Sequence, residues 1–335
     1  MNVRRRPISA AAVAAVTALG LGTLSACSSD SAAAGNTDKF DVVASFYPMA
    51  FLAEQIGGEH VDVTSLTEPG QEPHDLEISA KQTAQLQESD AALYLKGLQP
   101  SVDEAIGQSG IGTKIDAAGL TSLEEHADEH GHEGEGEHAH EDEHAHEDEH
   151  AHEDEHGHEH EGGKDPHVWL DPVKYAEVAE GVGKAFEKAD PDHAADYRKN
   201  TEALVEKLNG LDAKFETGLK DKKTDVFITT HAAFGYLAER YGLTEEAING
   251  LDPESEPSGA RVKELAETAE ADGVTTVFYE TLVSDETAKT LATDAGLKTD
   301  VLDPIEGITD ESRGDDYFQV MESNLKALQT ALGAK

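Results

Sequence analysis

A chain of 335 residues with a formal net charge of −43 is long enough for two ordinary domains, each with a core of its own. That charge excludes nucleic acid as a partner, because a polyanion would be repelled and no basic stripe is present. Much of the acidity is local: residues 124–161 hold 18 acidic side chains and 12 of the 17 histidines, so cations are the natural ligands.

The chain opens with Arg4, Arg5 and Arg6, then an Ala-rich apolar run from Ile8 to Leu24 that is too short and small-residued for a membrane span. The run ends in Leu24, Ser25, Ala26 and Cys27, the pattern of a bacterial lipoprotein signal. Residues 1–26 are therefore read as a cleaved signal peptide and Cys27 as the lipid-bearing first residue. Cys27 is the one cysteine in the chain, so no internal disulfide can form and lipidation explains it better than redox chemistry. Residues 27–38, rich in Ser, Ala, Gly and Asn, form a tether. The rest of the chain is expected outside the cytoplasm, lipid-anchored at the outer face of the cytoplasmic membrane.

From Phe40 onward, strand-like and helix-like segments alternate. "FDVVASF" (40–46), "VDVTSL" (61–66) and "AALYL" (91–95) are short β-branched or apolar runs, with helical patterns over 50–56, 79–87 and 101–108. The scheme recurs with "DVFITT" (225–230), "VTTVFY" (274–279) and "KTDVL" (298–302), and with helices over 233–241, 260–271, 285–295 and 317–332. This alternation predicts an α/β fold of two parallel-sheet sandwich lobes, 39–172 and 221–335. Between them, 173–220 reads as a helical link, with Pro191 opening a helix that runs from Asp192 to Leu219 and acts as a stiff backbone. Within the first lobe, 121–165 is a His/Asp/Glu-rich loop in which 137–161 repeats a six-residue unit of His, Ala, Glu and Asp. It lacks the apolar residues for a core and is expected to be a disordered loop that collects metal ions transiently.

The histidines outside the repeat fall in more structured surroundings. His74 lies in the Pro/Gly-rich loop after the second strand, His167 in "KDPHVWLDP", and His231 directly after "DVFITT", while Glu280 directly follows "VTTVFY". In open parallel sheets, ligands bind beyond the carboxyl ends of the strands, which is where His74, His231 and Glu280 are placed. Two of the four come from each lobe, so together they can close an interlobe site. Read alone, Glu280 also suits a helix cap, and the Asp-Pro pairs suit turns. His60 and His193 are expected to be solvated.

The segments "EPHDLEIS", "DPHVWLDP", "THAAFGYLAERYGL" and "NGLDPESEPS", in this order, resemble the metal-binding lipoproteins that feed ABC importers for zinc or manganese. The resemblance runs from about Phe40 to the C-terminus. It implies two α/β lobes, a rigid linking helix and one metal between the lobes, held by His74, His167 and His231 with a carboxylate as fourth ligand. Glu280 is the preferred carboxylate and Asp303 of "VLDPIEG" the alternative. Three imidazoles suit Zn²⁺, whereas Mn²⁺ prefers more oxygen. The implied partners are an ABC permease with its ATPase subunit, and the chain is expected to be a monomer. The alternatives are a manganese-binding transport protein, a surface adhesin or a metal buffer. No enzyme is expected: the chain has no H-E-x-x-H helix, and four ligands from four segments would leave zinc no open position for water.

Overall fold

The computed structural model describes residues 39–126 and 164–334. The signal, the tether with Cys27, and residues 127–163 of the histidine-rich repeat lie outside the described residues. No helix among the described residues is long and apolar enough to cross a membrane.

Each lobe is built on a four-stranded, all-parallel sheet. In the first, β1 (Phe40–Ala44), α1 (Tyr47–Gly57), β2 (Val61–Ser65), α2 (Ala80–Glu88), β3 (Ala91–Tyr94), α3 (Pro100–Gln108) and β4 (Thr113–Asp116) follow in sequence. Two helices, α4 (Pro172–Ala189) and α5 (Ala194–Gly218), lead to the second lobe. There β5 (Val226–Thr229), α6 (Gly235–Tyr241), β6 (Thr244–Ala247), α7 (Gly259–Asp272), β7 (Thr276–Tyr279), α8 (Glu286–Ala295), β8 (Lys298–Val301) and α9 (Tyr317–Leu332) repeat the plan. The strand orders, β2-β1-β3-β4 and β6-β5-β7-β8, are the same.

The two-residue period of the strands decides which layer each side chain joins. Val42 and Ala44 of β1 and Leu93 of β3 point inward, while Val43 and Ala92 pack outward with Leu86 of α2 and Val102 and Ile106 of α3. In the second lobe Phe227 and Phe278 point inward, and Ile228 and Val277 pack outward with Leu265 of α7 and Leu291 of α8. The two inward faces belong to one continuous core, shared through α1, α4, α5, α6 and α9.

Two edge strands escape the sequence reading. "TKID" of β4 offers one apolar residue and "TEEA" of β6 only an alanine, too few for an alternating apolar pattern. In the linking region, the long helix expected from Asp192 begins later, at Ala194. Asp190 and Pro191 end α4 and open a short 3-10 turn, Pro191–His193, after which α5 starts at Ala194. The helices then fold back against each other: Phe186 packs edge-on against Tyr197, and Arg198 pairs with Glu187. Helix α5 spans about 38 Å at 1.5 Å per residue and touches both lobes. Near its start Asn200 donates to the Ile56 carbonyl of α1 at 3.0 Å, and near its end Phe215 stacks on Tyr241 of α6 at 5.2 Å. The turn also collects His60 and His193, which are stacked at 4.1 Å and paired with Asp196 and Asp190 while remaining partly exposed.

Gly183 makes the close approach of α4 and α5 possible, since a Cβ there would lie 2.2 Å from Thr201 Oγ1. In an exposed helix Gly→Ala stabilises by about 1 kcal/mol. Here the sign reverses: Gly183→Ala is expected to destabilise by about 1–3 kcal/mol in urea unfolding, and adding Thr201→Ala returns part of the loss.

Candidate metal centre between the lobes

Four side chains converge between the lobes. Each of His74, His167, His231 and Glu306 offers one ligand atom, and these atoms all lie within 4.8 Å of one another. Glu306 Oε1 is the hub, 3.0 Å from His74 Nε2, 3.3 Å from His167 Nε2 and 3.7 Å from His231 Nε2. His167, His231 and Glu306 are sealed from solvent, and only the His74 side chain, at 12% exposure, reaches it. Nε2 of His167, Nε2 of His231 and Oε2 of Glu306 have no hydrogen-bond partner. Buried polar atoms are normally satisfied, so three unsatisfied atoms facing one point fit a bound cation.

Local turns aim these groups. Glu72 accepts the backbone N–H of His74 at 3.0 Å and of Asp75 at 3.2 Å, folding the loop after β2. Asp165 Oδ1 accepts the His167 backbone N–H at 2.9 Å and faces its Nδ1 at 2.7 Å. His231 leaves the end of β5 with its carbonyl held by Thr229 Oγ1 at 3.0 Å, and its Nδ1 faces Glu280 Oε1 at 2.8 Å. A carboxylate on Nδ1 keeps the proton there and turns the Nε2 lone pair toward the cluster, the arrangement common around metal-binding histidines.

Glu306 sits beyond β8 in "VLDPIEG". Asp303 Oδ1 accepts the Ile305 N–H at 2.8 Å, and Ile305 takes a positive φ of 60°, the one non-glycine case among the described residues. A β-branched residue adopts that conformation only under surrounding constraint. The constraint is supplied by Asn324, which bonds Asp303 N at 3.0 Å and O at 2.7 Å, and by Trp169 Nε1, which donates to the Pro304 carbonyl at 2.7 Å.

The family described as the zinc-uptake complex component A, periplasmic, matches residues 42–331. The chain belongs to this family. The zinc-binding lipoprotein AdcA of Streptococcus pneumoniae is 38% identical over 318 residues, 91% of this chain and 58% of that protein. The chain thus spans 58% of the length of this relative. The high-affinity zinc uptake system protein ZnuA of Bacillus subtilis is 35% identical over 333 residues, 94% of this chain and 98% of that protein. Among solved structures, the Zn(II)-bound ZnuA-like domain of S. pneumoniae AdcA superposes with a TM-score of 0.68 at 34% identity, covering 88% of this chain and 99% of that one. The laminin-binding protein Lmb of Streptococcus agalactiae, described as a bifunctional protein with adhesin and metal transporting activity, gives 0.72 at 26% identity over 88% and 99%.

In this family member the structure brings His74, His167 and His231 together as the sequence suggested, but it arranges the carboxylates differently. Glu280 lies behind His231, accepting from Thr230 Oγ1 at 2.8 Å as well as facing Nδ1, and is not among the converging ligand atoms. Asp303 shapes the turn and accepts from Thr281 at 3.3 Å. The carboxylate on the imidazoles is Glu306 of "VLDPIEG", in place of the expected Glu280 or Asp303. One signal was present: Asp165-Pro166-His167 and Asp303-Pro304-Ile305 are the same Asp-Pro turn, with Asp Oδ1 accepting the N–H two residues on. Each turn carries its converging side chain just past the proline. Cys27 lies outside the described residues.

Charge is shared within the cluster. Burial raises the energy of a Glu306 carboxylate, yet the histidines around it, His74 foremost and then His167 and His231, hold its pKa well below the usual range. Burial opposes charge on His167 too, but Asp165 and Glu306 outweigh it and raise its pKa to about 9. His231 is raised as well, against burial, by Glu280 and Glu306. An imidazole raised from 6.5 to about 9 contributes stability that is complete below pH 6.5 and lost as pH rises through 9. Metal needs the neutral imidazole, so its binding must improve over the same window. Thermal melts of metal-free protein are therefore expected to show Tm falling from pH 6.5 to 9 while the rise in Tm on adding zinc grows.

Proposed function

We propose that this protein is an extracytoplasmic Zn²⁺ receptor, anchored through Cys27, that passes the ion to a membrane permease driven by an ATPase. His74, His167 and His231 bind through Nε2 and Glu306 through a carboxylate oxygen, while Glu280 orients His231. The observation that carries this reading is the convergence of three imidazole nitrogens and one carboxylate at a point that only the His74 side chain opens to solvent. The donor set suits zinc in tetrahedral coordination and is poor in the oxygen that manganese prefers. With four protein ligands no position is left for a reacting water, which favours capture and release over catalysis. The names of the relatives, a zinc-binding lipoprotein and a high-affinity zinc uptake protein, agree with this assignment. The repeat within 127–163 gathers ions near the site, and the protein acts as a monomer.

Competition with a tight chelator tests the site. One tightly held zinc is expected to survive removal of residues 127–163; loss of all tight binding would sink the interlobe assignment. Glu280→Gln is expected to weaken that ion by about 10–100-fold, as for a group that acts through a ligand. Glu306→Ala should weaken it further than Glu280→Gln, and the opposite order would return Glu280 to the ligand set.

A further inference from the structure

Asp165 uses both of its oxygens on histidines. Oδ1 faces Nδ1 of His167, as described, and Oδ2 faces Nδ1 of His126 at 2.8 Å. His126 is therefore held in the same way as His167, with Nδ1 on a buried carboxylate and Nε2 directed at another acid, here Glu239 Oε2 of α6 at 3.2 Å. Glu124 brings a third group: one ligand atom from each of Glu124, His126 and Glu239 lies within 4.8 Å of the others.

The position of this imidazole is built into the fold. It stands edge-on to Tyr236 at 4.3 Å, and it occupies the space over Gly235, where a Cβ would fall 2.6 Å from the His126 ring. Glu124 is placed by Lys174, whose ammonium donates to Glu124 Oε1 at 2.8 Å and is fixed by the Ser122 carbonyl at 2.9 Å. Lys174 engages one oxygen and leaves the carboxylate its other. Two carboxylates converge on one oriented imidazole, and the Lys174 ammonium pairs with Glu124 alone, so Glu239 and the free oxygen of Glu124 still favour a cation between them.

We infer that Glu124, His126 and Glu239 form a second zinc site, distinct from the interlobe centre and joined to it through Asp165. Zinc binds His126 Nε2 and one oxygen from each glutamate, with water completing the shell. One imidazole and two carboxylates make a weaker and more open set than three imidazoles and a buried acid, so this site exchanges ions with solvent while the interlobe site retains them. It lies on the surface, with Glu239 59% exposed, and His126 directly precedes the histidine repeat in sequence. The shared Asp165 links the two sites electrostatically, because a cation at either one draws on the same carboxylate. The inference rests on the reading of the chain as a zinc receptor.

Crystals of the full mature chain grown with saturating zinc, measured on either side of the zinc absorption edge, separate the possibilities. Two anomalous peaks are expected, one among His74, His167, His231 and Glu306, and one about 2.0–2.1 Å from His126 Nε2. His126→Ala and Glu239→Gln should each erase the second peak and leave the first. The first peak without the second overturns the inference and spares the receptor reading, as does a second peak that persists in His126→Ala. Absence of both peaks overturns the two together.

Discussion

A carboxylate buried between two lobes has to be compensated, and the compensation of Glu306 organises the centre of this molecule. Transfer of an isolated carboxylate into a protein interior is prohibitive. Three imidazoles from both lobes surround it, and Glu306 raises the proton affinity of two of them, His167 and His231, whose protons must give way when a cation binds. The same groups therefore stabilise the metal-free protein and define its ligand site. Their proton affinity works for the first role and against the second.

Such a balance requires the lobes to meet at a fixed distance, and the fold supplies that. The inner faces of both sheets share one core, α5 lies along both, and α4 packs against α5 at a glycine. Trp169, wholly buried, donates to the Pro304 carbonyl of the second lobe and accepts on its own carbonyl from Tyr317 at 2.6 Å. Arg240 of α6 binds Asp171 with two nitrogens, at 2.9 and 2.7 Å to Oδ2. Opening this interface as a wide hinge would expose the shared core. Small movements of the ligand loops, above all the His74 loop that alone among the four reaches solvent, are the economical route for an ion.

The Asp-Pro pairs show how far local sequence reaches. The pairs at 165 and 171 were legible as turns, and the structure shows the same turn at 252 and 303 as well, each with the Asp side chain accepting the N–H two residues on. The three histidines were legible because two follow strands or strand loops and because the surrounding segments resemble a family. Strands with alternating apolar residues and helices with apolar stripes were placed within a few residues. β4 and β6 were not, because "TKID" offers one apolar residue and "TEEA" only an alanine, whereas the other edge segments carry Val61 with Val63 and Val301 with Leu302. Glu306 was missed because Glu280 and Asp303 lie nearer their strand ends, and a turn with Ile305 at positive φ cannot be read from a β-branched residue.

By itself the sequence determined the layer architecture, through strand and helix periodicity, and the chemical class of the ligand, through its imidazoles and acids. It also marked the strand-end loops as the place where a ligand would sit. Only the tertiary structure decided which carboxylate completes the cluster and which merely orients a histidine. Glu280 and Glu306 both approach His231, one at Nδ1 and the other toward Nε2, and the two nitrogens of one ring lie on opposite sides of it. Their roles depend on where β7 and β8 deliver their loops relative to a first lobe more than a hundred residues away in the chain.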